Sequence, residues 1–235
     1  MAKNITLLLD AGHLRWALRA ALAAASKDYV TPVLCAVRVV VEGKHIHFIA
    51  TDRYRVHETI VPRPKGATAG SFLMDRAQAQ WILTNSHKPA RSFPEQQVRI
   101  TWVEGAPATA GRISVEVSAS AEPEAPVFRY DADAVRGNYP PVHGIFGKLE
   151  KDGDSVEVVG LNPDFIATLR HLTGYRGEAL VFTMSKAREK AGPILVENAA
   201  GTARALIQPN LLLSKAEWQG GELEVPAPVV KAAAA

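Results

Sequence analysis

His45 and His47 stand one residue apart in a Val/Ile-rich run. On a strand that spacing puts both imidazoles on one face, and imidazole is a common zinc ligand. Two donors do not hold an ion, and no third is suggested beside them, so a solvated strand face is the plainer reading. Asp131/Asp133 and Asp152/Asp154 have the types for divalent-cation chemistry but read as loop acids. Cys35, in the setting Val33-Leu34-Cys35-Ala36-Val37, reads as a small buried hydrophobe and not a reactive thiol. The chain has no Gly-x-Ser-x-Gly elbow, phosphate-binding glycine loop, His-Glu-x-x-His helix or Cys-x-x-Cys pair. No reaction is implied, and neither a metal nor a cofactor.

Composition narrows the setting. The chain has 235 residues, 47% hydrophobic and 22% charged, enough to bury a core in one large or two small domains. A net charge of +3 is too mild to specify a nucleic-acid partner, so the placement of the cations decides. One cysteine cannot form an internal disulfide, no apolar run approaches the roughly 18 residues of a membrane span, and the N-terminus lacks a signal-peptide layout. A cytoplasmic protein with no membrane partner is expected.

Three passages repeat one element order. In the first, Asp10 is a plausible N-cap for a helix over 12–26 carrying Leu14, Leu18, Leu22 and Ala25. Strands are predicted over 34–41, 45–50 and 54–61, closed by Pro62 and Pro64. In the second, a short strand over 71–74 precedes a helix capped by Asp75, then strands over 98–103, 112–118 and 127–130. In the third, a strand over 155–159 leads to a helix opened by Asn162-Pro163 and stopped by Gly174, then strands near Leu180, Ile194 and Ala205.

The run from Thr31 to Val56, above all Phe48-Ile49-Ala50-Thr51-Asp52-Arg53-Tyr54-Arg55-Val56, resembles the middle domain of the bacterial DNA polymerase III beta subunit, the DNA sliding clamp. Tyr139-Pro140 with Ile145-Phe146 is similar to the segment that leaves that domain. Gly160-Leu161-Asn162-Pro163-Asp164-Phe165-Ile166 looks like the entry to the last domain's final helix, and Leu206-Ile207-Gln208-Pro209 like its Val-Met-Pro end. The likeness runs in family order from Leu8 to Leu213, with no N-terminal domain and no room between Lys148 and Ser155 for the first half of the last one. It implies an α+β DNA clamp fold of repeated βαβββ units, antiparallel sheets outside and helices on the inner face. Residues 1–137 would form a clamp domain of two units, 138–218 a shortened C-terminal unit, and 219–235 a disordered tail.

Such a protein performs no bond chemistry. It encircles double-stranded DNA as a homo-oligomeric ring, here a trimer or tetramer of a compact, phage-like or plasmid-like form. A clamp loader places the ring, which tethers DNA polymerase and other replication proteins through short peptides. The alternative is a clamp-derived module that binds replication or transcription proteins without encircling DNA. A sliding wall needs cations that attract phosphate without reading bases. The candidates are Arg15 and Arg19 on the first helix, Arg76 on the second with Lys88 and Arg91 beyond it, and Arg170 with His171 on the third. The resemblance adds Lys27 and Tyr29 in the loop after the first helix. It also implies a peptide groove from Leu34, Thr51, Arg53, Tyr54, Arg55, Val56, Pro140, Ile145, Leu206, Ile207 and Pro209. Leu34, Val56 and Ile207 are equally readable as core, and Asp52 as a turn residue.

Overall fold

The computed structural model describes residues 4–86, 96–106, 109–118, 127–148, 159–184 and 192–209. Strand β1 (Asn4–Asp10) alternates exposed and buried residues, so Ile5, Leu7 and Leu9 face inward. Helix α1 (Ala11–Leu22) follows directly, and the Asp10 carboxylate accepts the His13 N–H at 2.8 Å as the N-cap. The helix ends four residues short of the expected Ser26, in a tighter turn through Ala24.

Pro32–Cys35 forms a short helical turn (α2), and the next strand begins only at Val37, three residues later than expected. Pro32 sets the first turn because its fixed φ suits that position and its missing N–H costs nothing there. Strands β2 (Val37–Glu42), β3 (His45–Thr51) and β4 (Arg55–Pro62) form a meander. The second unit follows as β5 (Gly70–Met74), α3 (Arg76–Asn85), β6 (Gln97–Val103), β7 (Arg112–Ser118) and β8 (Val127–Asp133). Asp75 and Gln78 close a full capping box on α3.

The first strands of the first two units are exchanged. β1 pairs with β6, giving a four-stranded sheet in the order β1-β6-β7-β8, while β5 pairs with β2. The third unit contributes α4 (Pro163–Leu169), β9 (Leu180–Met184), β10 (Ile194–Asn198) and β11 (Ala203–Ile207). Strand β11 pairs with β4, which extends the second sheet to seven strands, β5-β2-β3-β4-β11-β10-β9. Asn162 caps α4 through the Asp164 N–H. Gly174 does not stop the helix: the turn closes at Leu169 to Leu172, and Gly174 donates its N–H to the Glu178 carboxylate instead. The first strand expected for this unit, the Asp152/Asp154 pair and the 219–235 tail lie outside the described residues.

The main core joins α1, α3 and the inner faces of both sheets, from Ile5 and Leu14 to Phe48, Ile82 and Val115. A smaller cluster fastens α1 to the third unit through Ala20, Leu169, Leu172 and Ile207, and the Trp16 indole donates to the Thr173 carbonyl at 3.1 Å. On the outer face of the seven-stranded sheet, a 3-10 helix (Val142–Lys148) places Val142 and Phe146 on Ile49, Val56, Leu195 and Leu206. Helix α1 thus stands between α3 and α4, with the sheets behind. No described helix is long and apolar enough to cross a membrane.

Candidate functional site

The predicted wall cations divide into two groups. Arg15 is turned along α3, where its guanidinium donates to the Leu83 and Ser86 carbonyls and to Ser86 Oγ at 3.2 Å, so it caps the C-terminal end of that helix. Burial, then the nearby Arg19 charge, pulls its pKa down. Arg76, at the start of α3, reaches the Ala25 and Ser26 carbonyls just past the end of α1, at 3.4 Å each. The two helices are antiparallel: Arg15 tends the last carbonyls of α3, and Arg76 those of the turn that follows α1. That employment was invisible in the i, i+4 spacing of Arg15 and Arg19.

Arg19 on α1 and Arg170 at the end of α4 are exposed, as are Lys27 and Tyr29 beyond α1. Their neighbourhood registers in His171, whose pKa is lowered first by burial and then by the charges of Arg170 and Arg19. Two helices from different units therefore bring cations within electrostatic reach of one another. Lys88 and Arg91 lie outside the described residues.

The predicted groove residues also separate by face. Leu34, Arg53, Tyr54 and Arg55 border a cleft of about 1060 Å³ between the turn after β3 and helix α4, together with Lys27, Thr31 and Arg76. Asp52 organises that turn: its carboxylate accepts the Tyr54 and Arg55 N–H groups at 3.1 Å and the Arg55 Nε–H at 2.9 Å. A turn acid is what it is. Arg53 holds the left-handed region at φ +83°, unusual for a side chain with a Cβ, and its guanidinium donates to Thr31 Oγ1 at 3.0 Å. Arg55 crosses the cleft, lying 4.5 Å from the Phe165 ring centroid and donating to Thr168 Oγ1 at 3.0 Å.

Thr51, Val56, Leu206, Ile207 and Pro209 are buried, with Ile207 at 0% exposure in the cluster under α4. Val56 and Leu206 lie on the opposite face of the sheet, beneath Val142 and Phe146. Pro140 and Ile145 border a separate hollow of about 460 Å³ on that outer side. The candidate list is thus a cleft rim, a core and a second hollow, since neighbouring strand residues point to opposite faces.

The α4 wall of the cleft, Asn162, Phe165, Thr168 and His171, was absent from the groove candidates, His171 having been assigned to the cationic wall instead. Its signal was available, because three-residue steps after the Asn162 cap put these side chains along one helix face. Cys35 is buried with its thiol pKa raised by burial, as an inert cysteine requires. Asp131 and Asp133 are not loop acids: they end β8, where Asp131 pairs with Arg129 at 2.8 Å.

No family model matches the chain, and no curated protein matches it. Solved structures do match. The DNA polymerase III beta subunit of Thermotoga maritima aligns at a TM-score of 0.60 and 15% identity, over 89% of this chain and 66% of that one. The sliding clamp of Pseudomonas aeruginosa bound to griselimycin gives 0.61 at 12% identity, over 94% and 69%. A putative beta subunit from Eubacterium rectale gives 0.58 at 9%, over 89% and 66%. With its strand-exchanged units, outer sheets and adjacent helices, this chain has the fold of the DNA polymerase III beta subunits, the sliding clamps, over about two thirds of their length.

Proposed function

We propose that the chain is a non-catalytic DNA sliding clamp, joining copies of itself head to tail into a ring of three or four around duplex DNA. Residues 1–137 make one clamp domain and 138–218 half of another. The observation that carries this reading lies in two of the four strands that end the sheets, β1 and β5 being the others. β8 exposes Val127 and Phe128, and β9 exposes Val181, Phe182 and Met184, with no partner strand on either outer side among the described residues. Open edges with apolar side chains invite pairing, and two dissimilar edges on one chain generate a heterologous contact that a ring closes. Arg19, Arg170 and Lys27 supply the weakly gripping bore, and the cleft beside Arg55 receives an extended peptide from a polymerase or another replication protein.

Light scattering tests the ring. The wild-type chain is expected at three or four times its 25.3 kDa mass, and Phe182→Asp at one. A wild-type monomer at micromolar concentration overturns encirclement. One observation favours the second reading, a binding module without a ring: the peptide cleft is built entirely within one chain, between the turn after β3 and α4. Peptide capture by a monomer that is not retained on circular DNA is the result that selects it.

A further inference from the structure

On the outer face of the seven-stranded sheet, Glu42 ends β2, His47 stands on β3, Glu58 on β4 and Arg204 on β11, in a diagonal across four adjacent strands. His143, in the 3-10 helix, closes over them. Glu58 is fully buried. Its Oε1 accepts Nδ1–H from His47 at 2.9 Å and from His143 at 2.6 Å, and its Oε2 accepts Nε–H from Arg204. A carboxylate that holds these three contacts takes each of them as the acceptor.

With Nδ1 turned to Glu58, each ring presents Nε2 to the same oxygen of Glu42, His47 at 3.6 Å and His143 at 3.5 Å. The rings meet edge to face, centroids 5.0 Å apart at 82°. Two imidazole nitrogens and a carboxylate oxygen from three separate elements thus converge on one point, a set that could hold a metal ion. The spacing has the right scale, because ligands about 2.1 Å from a tetrahedral zinc lie roughly 3.4 Å from one another. All three donor atoms fall within 4.8 Å of one another.

We propose that Glu42, His47 and His143 bind one divalent ion of the zinc class, with Glu58 as the positioning residue that orients both imidazoles. Two imidazoles and a carboxylate suit zinc and its neighbours far better than calcium or magnesium, which take oxygen ligands. A carboxylate behind a ligating histidine fixes the ring and raises its basicity. The ion pins the 3-10 helix to β2 and β3, and so clamps the link between the second and third units onto the sheet that joins them. His47 came from the strand alternation in the sequence, but its partner is His143, not His45.

The full chain, stripped with chelator and titrated at neutral pH with Zn²⁺ alone, is expected to take up one equivalent and to melt at higher temperature. Co²⁺ in its place gives the strong visible absorption of low-coordinate cobalt. His143→Ala and Glu42→Gln, both at partly exposed positions, each lower zinc affinity at least tenfold, and Glu58→Gln lowers it about 10–100-fold with the ligands intact. His45→Ala leaves it unchanged. Circular dichroism equal to wild type separates lost ligation from lost folding, and because Glu58 is buried, the two exposed variants decide. Failure of the wild type to take up stoichiometric zinc, or equal uptake by His143→Ala, overturns the proposal. Neither result bears on ring formation, which light scattering reads separately.

Discussion

Helix α1 has two flanks, and they use arginine differently. Toward α3, over a large shared core, Arg15 is consumed in capping α3 and Arg76 in holding the turn after α1. Toward α4, the packing is a small cluster around Ala20, Leu169 and Leu172, and Arg19 and Arg170 stay exposed. A cation on one of these helices is not thereby free to bind an anion. Where the helix pair is tightly wired, positive charge goes into backbone carbonyls; where packing is thinner, it remains exposed to solvent.

Breaking the wired side should have the largest effect. Arg15→Ala removes charge-assisted hydrogen bonds to the Leu83 and Ser86 carbonyls, and is expected to cost about 3 kcal/mol of stability by urea denaturation. An unchanged midpoint would place Arg15 with the free cations. Beneath the other flank, His57 is fully buried and donates Nδ1–H to the Ala20 carbonyl at 2.8 Å, its pKa lowered to about 4, chiefly by desolvation. The unfolded chain binds this proton below about pH 6.5 and the folded chain only near 4, so the folded state binds fewer protons in that window. The His57 contribution to stability is therefore flat above pH 6.5 and falls by about 3 kcal/mol as pH drops to 4. His57→Gln should flatten that part of the profile.

The exposed side should answer in binding. Arg19→Glu with Arg170→Glu leaves stability within about 0.5 kcal/mol but flattens the log–log salt dependence of DNA affinity by about 2, near 0.9 per phosphate contact. An unaltered slope, or a slope that follows Arg15→Ala instead, reverses the comparison. Smallest is the cleft rim: Arg53→Gly relieves a left-handed residue and should raise stability by about 1 kcal/mol, while loosening the rim contact to Thr31.

Local signals read well. Asp10, Asp75 and Asn162 cap the helices expected of them, and the Val/Ile runs fold as strands in the anticipated order. The α+β clamp architecture follows from that order and from the stretch around Thr51–Arg55. What stayed hidden is what pairs residues far apart in the chain. The exchange of β1 and β5 between units leaves no local mark. Nor does the choice of Arg15 for a carbonyl 68 residues away, or the meeting of His143 with Glu58, 85 residues apart. The groove list blurred because one resemblance motif spans both faces of a strand, and only the fold tells rim from core.

The exchanged strand also sets a clock. Asp10 meets Gln97 and Asn4 meets Val103, so the opening segment leaves the ribosome with its partner still untranslated. At about 5–20 residues per second, it waits on the order of 5–20 s for that partner. During the wait, Ile5, Leu7 and Leu9 lack the strand that holds them in place, and pairing so distant in sequence makes the search slow. Neither of the first two units can mature alone, and a nascent chain cut before residue 103 would leave both unfinished.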